Sequence, residues 1–207
     1  MKNQIFYKII DNVQKDKYND KNSILKEYDL FLLEKGIYRG YDTEQFKKTV
    51  ANREDLIEYT LELLNKTIYQ NERLFLIEVL FSCGYDRNSM VELILNEFEK
   101  NKKLDWHLCD LLRKIKNFKY LDKYIQIVNV SDYGESREML IELLGISKNE
   151  VVIPVLMNLL CDSTVSDHVL VALTNFREKS IIEIMKKNKN HSRRWVRQAI
   201  QRYLDKI

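Results

Sequence analysis

Proline occurs once and glycine five times in these 207 residues. Both interrupt helices, so their scarcity removes most of the turns that a β-rich or loop-rich chain needs and predicts an almost all-helical chain with short connections. Cysteine is also sparse: Cys83, Cys109 and Cys161 lie far apart in apolar helical runs. An odd, dispersed set argues against a disulfide framework and for a reducing, cytoplasmic setting. No apolar run reaches the roughly 18 residues that would span a bilayer. The opening stretch MKNQIFYKIIDNVQKDKYND has no apolar core leading to a cleavage site, so neither a membrane partner nor a signal peptide is expected.

What the chain does contain is ordinary for a folded protein, 45% apolar and 31% charged residues, but ordered in a telling way. In residues 151–176 two amphipathic patterns flank a short polar turn. Val152, Val155, Leu156, Leu159 and Leu160 recur at the spacing of one helix face. After Asp162, Ser163 and Thr164, so do Val165, Val169, Ala172, Leu173 and Phe176. The pair is echoed over residues 181–204. Earlier pairs are predicted at residues 54–66 with 71–83, 88–100 with 104–117, and 119–130 with 135–144. Val79, Leu111, Met139, Ala172 and Ala199 hold equivalent places in the second helices, with Leu143 an alternative to Met139. A helix hairpin that recurs cannot bury its face alone and stacks on its neighbours. Residues 1–51 read as a helical cap. A first helix there carries Ile5, Phe6, Ile9, Ile10 and Val13, and a second, over residues 23–35, is ended by Gly36. A short third helix is capped by Asp42 or Thr43.

Pro154 near the start of a first helix, Asp162 at the turn, and Val196-Arg197 followed by Ala199 in a second helix resemble the HEAT-repeat family. The resemblance covers residues 52–207 and implies an all-α, right-handed solenoid of about five helix pairs. It gives Asp162 and Arg197, and with them Asp132 and Arg137, places in a ladder of turn Asp and second-helix Arg between adjacent repeats. It also implies that the second helices line a concave surface. The family pattern speaks to fold and hardly to activity.

The sequence LDWHLCDLLRKI puts Leu104, Leu108, Leu111, Leu112 and Ile115 on one buried stripe and Trp106, Asp110 and Arg113 on another face. An indole platform beside an acceptor and a planar donor fork suits a binding groove. The plainer alternative is Trp106 packed on the next repeat with Asp110 and Arg113 as a surface pair. Glu78, in LFLIEVLF, either faces the groove or pairs internally; its alignment with Asp110 one repeat later favours the groove. Trp106-x-x-x-Asp110 also resembles an element of the helical-repeat DNA glycosylases that excise alkylated bases. That resemblance implies that Trp106 stacks on the lesion or deoxyribose and that Asp110 stabilises charge developing on the sugar or positions water. Arg137 is the candidate for the family's Arg in the following concave helix, although at a shorter spacing. The family's second Trp has no counterpart, Trp195 standing one repeat too late.

Net charge is +3, but residues 177–207 hold ten basic and three acidic side chains, whereas residues 53–100 hold ten acidic and five basic. Lys186, Lys187, Lys189, Arg193, Arg194 and Arg197 can hold phosphates, or simply solvate a terminal repeat. His107, His168 and His191 are isolated, and His107 and Cys109 point apart on a helix, so no metal site or other cofactor is expected. Cys109 has no evident His partner and reads as a small apolar residue. The expected function is a non-enzymatic cytoplasmic module that holds a protein or peptide along Glu78, Trp106, Asp110, Arg113, Arg194 and Gln198. The alternative is a DNA-binding protein that recognises or excises alkylated bases.

Overall fold

The computed structural model describes residues 24–39, 43–101 and 103–207, and among them every regular element is helical. In chain order the α-helices are α1 (Ile24–Glu34), α2 (Thr43–Val50), α3 (Ile57–Lys66), α4 (Gln70–Cys83), α5 (Arg87–Asn101) and α6 (Trp106–Ile115). They continue with α7 (Leu121–Val128), α8 (Glu138–Ser147), α9 (Ile153–Leu159), α10 (Ser166–Leu173), α11 (Lys179–Lys187) and α12 (Arg194–Leu204). The N-terminal helix expected around Ile5 to Val13 and the Asp42 cap lie outside the described residues, as does the side chain of Thr43. No described helix is long and apolar enough to cross a membrane.

Backbone contacts divide the chain into two compact units, one ending at Met90 and one beginning at Val91. This division follows packing; the boundary at residues 51/52 expected from the sequence follows the repeat pattern. In the first unit α1 packs on α3, and α4 receives both α2 and α3. Aromatic rings fill the space between them: Phe31 lies 4.2 Å from Tyr59 and Phe46 5.8 Å from Phe75, centroid to centroid. The Tyr28 hydroxyl, buried among them, shares a 2.8 Å hydrogen bond with Thr60. Arg39 folds back over the Phe75 ring, 4.6 Å from its centroid, and donates to the buried Asp29 carboxylate at 2.6 and 3.1 Å.

In the second unit α7 packs on α8, α9 on α10 and α11 on α12. The even-numbered helices also pack in series, α6 on α8, α8 on α10 and α10 on α12. At Gly145 in α8 the backbone of α10 comes very near. A Cβ there would stand 2.7 Å from both the Cα and the carbonyl oxygen of Ala172 in α10, inside any tolerable contact. The missing side chain lets the two backbones meet.

A backbone signal recurs along the chain. Asn52, Gly84, Lys116 and Lys148 all have positive φ, between 53° and 85°, and they are evenly spaced along the chain. They follow the ends of α2, α4, α6 and α8. A left-handed residue at a helix end turns the chain back and satisfies terminal carbonyls, so a non-glycine there is retained only where the turn demands it. After three of the four, the chain enters a 3₁₀ turn (Glu54–Leu56, Phe118–Tyr120, Glu150–Val152) before its next α-helix. Asn117 and Asn149 cap two of these turns, accepting from Lys119 N and Val151 N at 3.1 Å. Leu143 follows Leu111, and Leu111 follows Val79, at that same interval, whereas Met139 does not. In the turn before α8, Gly134, at φ 50° and ψ −136°, breaks the 3₁₀ run.

The helix expected over residues 104–117 begins at Trp106. Asp105 is extended and accepts hydrogen bonds from His107 N and Leu108 N at 2.9 and 3.2 Å, an N-cap that leaves Leu104 buried just outside the helix. The predicted stripe of Leu108, Leu111, Leu112 and Ile115 is buried.

Candidate functional site

Packing α6, α8, α10 and α12 side by side buries their apolar stripes and leaves another side of each helix outward. On that side stand the two tryptophans of the sequence, Trp106 at the start of α6 and Trp195 at the start of α12. They remain 39% and 37% exposed, although indoles are usually highly buried. The side chains between them form a connected row. Trp106 Nε1 donates to Glu138 of α8 at 3.3 Å. Glu138 lies 3.4 Å from His168 Nε2 in α10, and His168 Nδ1 is 2.9 Å from Glu142. The His168 ring sits 4.9 Å from that of Trp195.

Asp110 and Arg113 join this row from α6. The Arg113 guanidinium reaches Asp110 at 2.5 Å and Glu142 at 3.7 Å, and Lys114 reaches the other Asp110 oxygen at 2.8 Å. Burial alone pushes the Asp110 carboxyl up, but the Lys114 ammonium and the Arg113 guanidinium outweigh it and hold the group below the ordinary carboxylate range. Asp110 is therefore an ionised, paired carboxylate at neutral pH. The expected trio is present on one face, with the indole open and the ion pair formed.

The other predicted groove residues fall as follows. Glu78, in the first unit, is half-exposed and faces Lys47 at 3.6 Å. Arg194 and Gln198 lie on α12, where the Gln198 carbonyl accepts from Arg202 Nε at 3.0 Å. Among the predicted phosphate ligands, Lys186, Lys187, Lys189 and Arg194 make no ion pair among the described residues. Arg193 is held by Asp167 at 2.7 Å, and Asp167 also faces His191 at 3.3 Å. Arg197 donates to the carbonyls of His191 and Ser192, which fixes the turn before α12.

Arg137 is not part of the row between the two tryptophans. It is 1% exposed and donates to the carbonyls of Gly134 and Val128 at 2.9 and 3.0 Å and to Asp162, in the next turn, at 2.6 Å. A guanidinium with three fixed acceptors inside the fold cannot also meet a ligand on the outer face. It is therefore no counterpart of the glycosylase Arg. Asp132, expected in the same ladder, is exposed, with the Ser131 hydroxyl 3.5 Å away.

Glu138, Glu142 and His168 belong to the site without having been expected there. A signal for the first two exists in the sequence: they follow Trp106 and Asp110 at the same interval that separates the helix closures. Aligning on Met139 hides it. Glu78 precedes Asp110 by that interval too, so carboxylates recur in the sequence at positions 78, 110 and 142. Cys109 is buried in α6, and burial raises its thiol well above the ordinary value, which leaves it without nucleophilic character at neutral pH. Among the described residues, no group of three or more His, Cys, Asp and Glu side chains is placed to hold a metal ion. Comparison with known protein families, with curated proteins and with solved structures finds no match to this chain.

Proposed function

We propose that this is a HEAT-like repeat protein of the cytoplasm, and that the outward side of α6, α8, α10 and α12 holds a protein or peptide without chemistry. Three features support the repeat reading. The even-numbered helices of the second unit pack in series, the helix closures recur at a constant interval, and Arg137 reaches the turn Asp162 of the following pair, as a HEAT-like ladder would. The superhelical part of the reading concerns the unit from Val91 onward.

The observation that carries the binding reading is the row from Trp106 to Trp195. Two open indoles bracket a set of prepaired acids and bases. Indole and guanidinium groups dominate the energetics of protein interfaces, and charges already paired need little reorganisation to be covered. A ring held by Glu138 from the neighbouring helix is preorganised as an anchor. Trp106→Ala is expected to weaken partner binding by about thirtyfold, the usual effect of losing a central anchor of roughly 2 kcal/mol. The test is a pull-down from the source cells, with helicity compared to confirm folding. An unchanged partner set rejects the anchor.

A second reading, nucleic-acid binding with base-lesion recognition, draws on one observation: open Trp106 and ionised Asp110 share a face one turn apart. Against it, Arg113 and Lys114 already neutralise the carboxylate that would have to meet a cationic sugar. Under this reading, duplex DNA affinity falls steeply with salt and again on neutralising Lys186, Lys187, Arg193 and Arg194. Excision of an alkylated base would be lost in Asp110→Asn. Absence of DNA binding at low salt removes the reading.

A further inference from the structure

A cavity in the second unit lies away from the tryptophan row and shares no residue with it. It opens where α8, α10 and α12 end, and its volume is about 470 Å³. Small-molecule sites commonly measure about 300–1,000 Å³. Its wall is unusual in charge. Lys148, Arg177, Arg202 and Lys206 contribute to the lining, and no carboxylate among the described residues does. In a chain with 34 basic and 31 acidic residues, four cations together without an acid is not the average surface.

Cations at helix ends have a structural use, because exposed carbonyls give each C-terminus about half a negative charge. That use is visible: Arg177 Nη1 donates to the Lys206 carbonyl and Arg202 Nε to the Gln198 carbonyl, both at 3.0 Å. It does not account for the cluster. Three helix ends supply about one and a half negative charges against four positive ones. Each arginine spends one of its five donors in these contacts, and neither lysine ammonium has an ion-pair partner among the described residues. Five N–H donors in a planar fork match the oxygens of a phosphate.

The remaining wall suits an organic ligand. Thr174 and Asn175 are turned inward on the α10 backbone, bonding the carbonyls of Val171 and Ala172. Tyr203 differs. It lines the cavity and is 6% exposed, and its hydroxyl is buried without a hydrogen-bond partner among the described residues. Buried hydroxyls are rarely left so, and one at the wall of a cationic cavity can meet a ligand oxygen. Val171 and Ala199 add an apolar surface on which a flat ring can lie.

The geometry points to this cavity as a binding site for a phosphorylated small molecule of nucleotide size. The four cations hold the phosphates, while Tyr203 and the apolar wall take the remainder. The proposal stands independently of the partner-binding reading, since it uses different residues.

The test titrates the full-length chain with ATP, inorganic pyrophosphate and adenosine by calorimetry. One ATP per chain is expected to bind saturably, pyrophosphate more weakly, and adenosine not measurably. The double variant Lys148→Gln, Lys206→Gln removes two exposed ammonium groups that make no ion pair, so it keeps the fold. It should weaken ATP binding at least about tenfold. Lys186→Gln with Lys187→Gln, the same charge change outside the cavity, should change it less than about twofold. Absence of saturable binding by ATP and pyrophosphate overturns the proposal, as does an equal loss in the two double variants. A short DNA duplex that displaces ATP, and binds more tightly through the same two lysines, overturns it in favour of a nucleic-acid backbone.

Discussion

Gly145→Val is expected to destabilise the second unit severely, and even Gly145→Ala should be destabilising. In an ordinary helix interior, replacing glycine with alanine stabilises by about 1 kcal/mol. Here the new Cβ would meet the Ala172 backbone at 2.7 Å, and backbone cannot rotate away as a side-chain tip can. Forcing α8 and α10 apart disturbs the most extensive helix contact in the unit. Overpacking of this kind costs about 1–3 kcal/mol, and valine adds two methyl groups to the clash. For a chain of this size each kcal/mol lowers the melting temperature by about 2–4 °C. Thermal melting followed by helicity should therefore show a modest fall for alanine and a fall of about 10 °C for valine. A rise for alanine would mean that the helices do not meet at this point.

The second large effect is expected at Arg137. Arg137→Met fills much of the buried volume but removes the donors to Gly134, Val128 and Asp162 together. Breaking a buried ion pair costs about 3–5 kcal/mol when the abandoned charge stays buried. Asp162 is a quarter exposed and can rehydrate, so about 2–3 kcal/mol is expected. The pH dependence separates the pair from mere packing. The Thr164 hydroxyl first and the Arg137 guanidinium second hold the Asp162 carboxyl below its ordinary value. A carboxyl lowered on folding contributes stability above the unfolded value, and that contribution is lost as pH falls through the folded value. The gap between the wild-type chain and Arg137→Met should be full above about pH 5 and narrow in more acid solution. A gap independent of pH would assign the effect to packing alone.

Both effects sit at helix contacts that the sequence only partly reveals. The helices themselves are legible because apolar residues recur at one-face spacing and few glycines or prolines interrupt them. Their starts are less so. Asp105 caps α6 from an extended backbone, yet Leu104 before it is buried, and an apolar pattern cannot tell a buried preceding residue from a helical one. The register of α8 is ambiguous in the sequence because both Met139 and Leu143 are buried. What distinguishes them is a backbone angle at Lys148 that repeats the one at Lys116, and lysine carries no sequence signal for a left-handed turn. Of the site, Trp106, Asp110 and Arg113 are readable as a polar set off the core stripe. Glu138 and Glu142 become readable only once the interval from Trp106 and Asp110 is taken as the register, and His168, which does not fall at that interval, has no such signal. For Arg137 the sequence leaves two roles open, a ladder with a turn Asp and a ligand-facing one implied by resemblance, and its acceptors Val128, Gly134 and Asp162 come together only in three dimensions. The cationic cavity draws on residues at the ends of three helices far apart in the chain, so no local pattern announces it.

Hydrogen exchange of the full chain, alone and with its captured partner, tests the central claim most directly. If the row from Trp106 to Trp195 is the binding face, slowed exchange should concentrate in the opening turns of α6, α8, α10 and α12 while α7, α9 and α11 are little changed. Slowed exchange confined to α7, α9 and α11, with the even-numbered helices untouched, would contradict it.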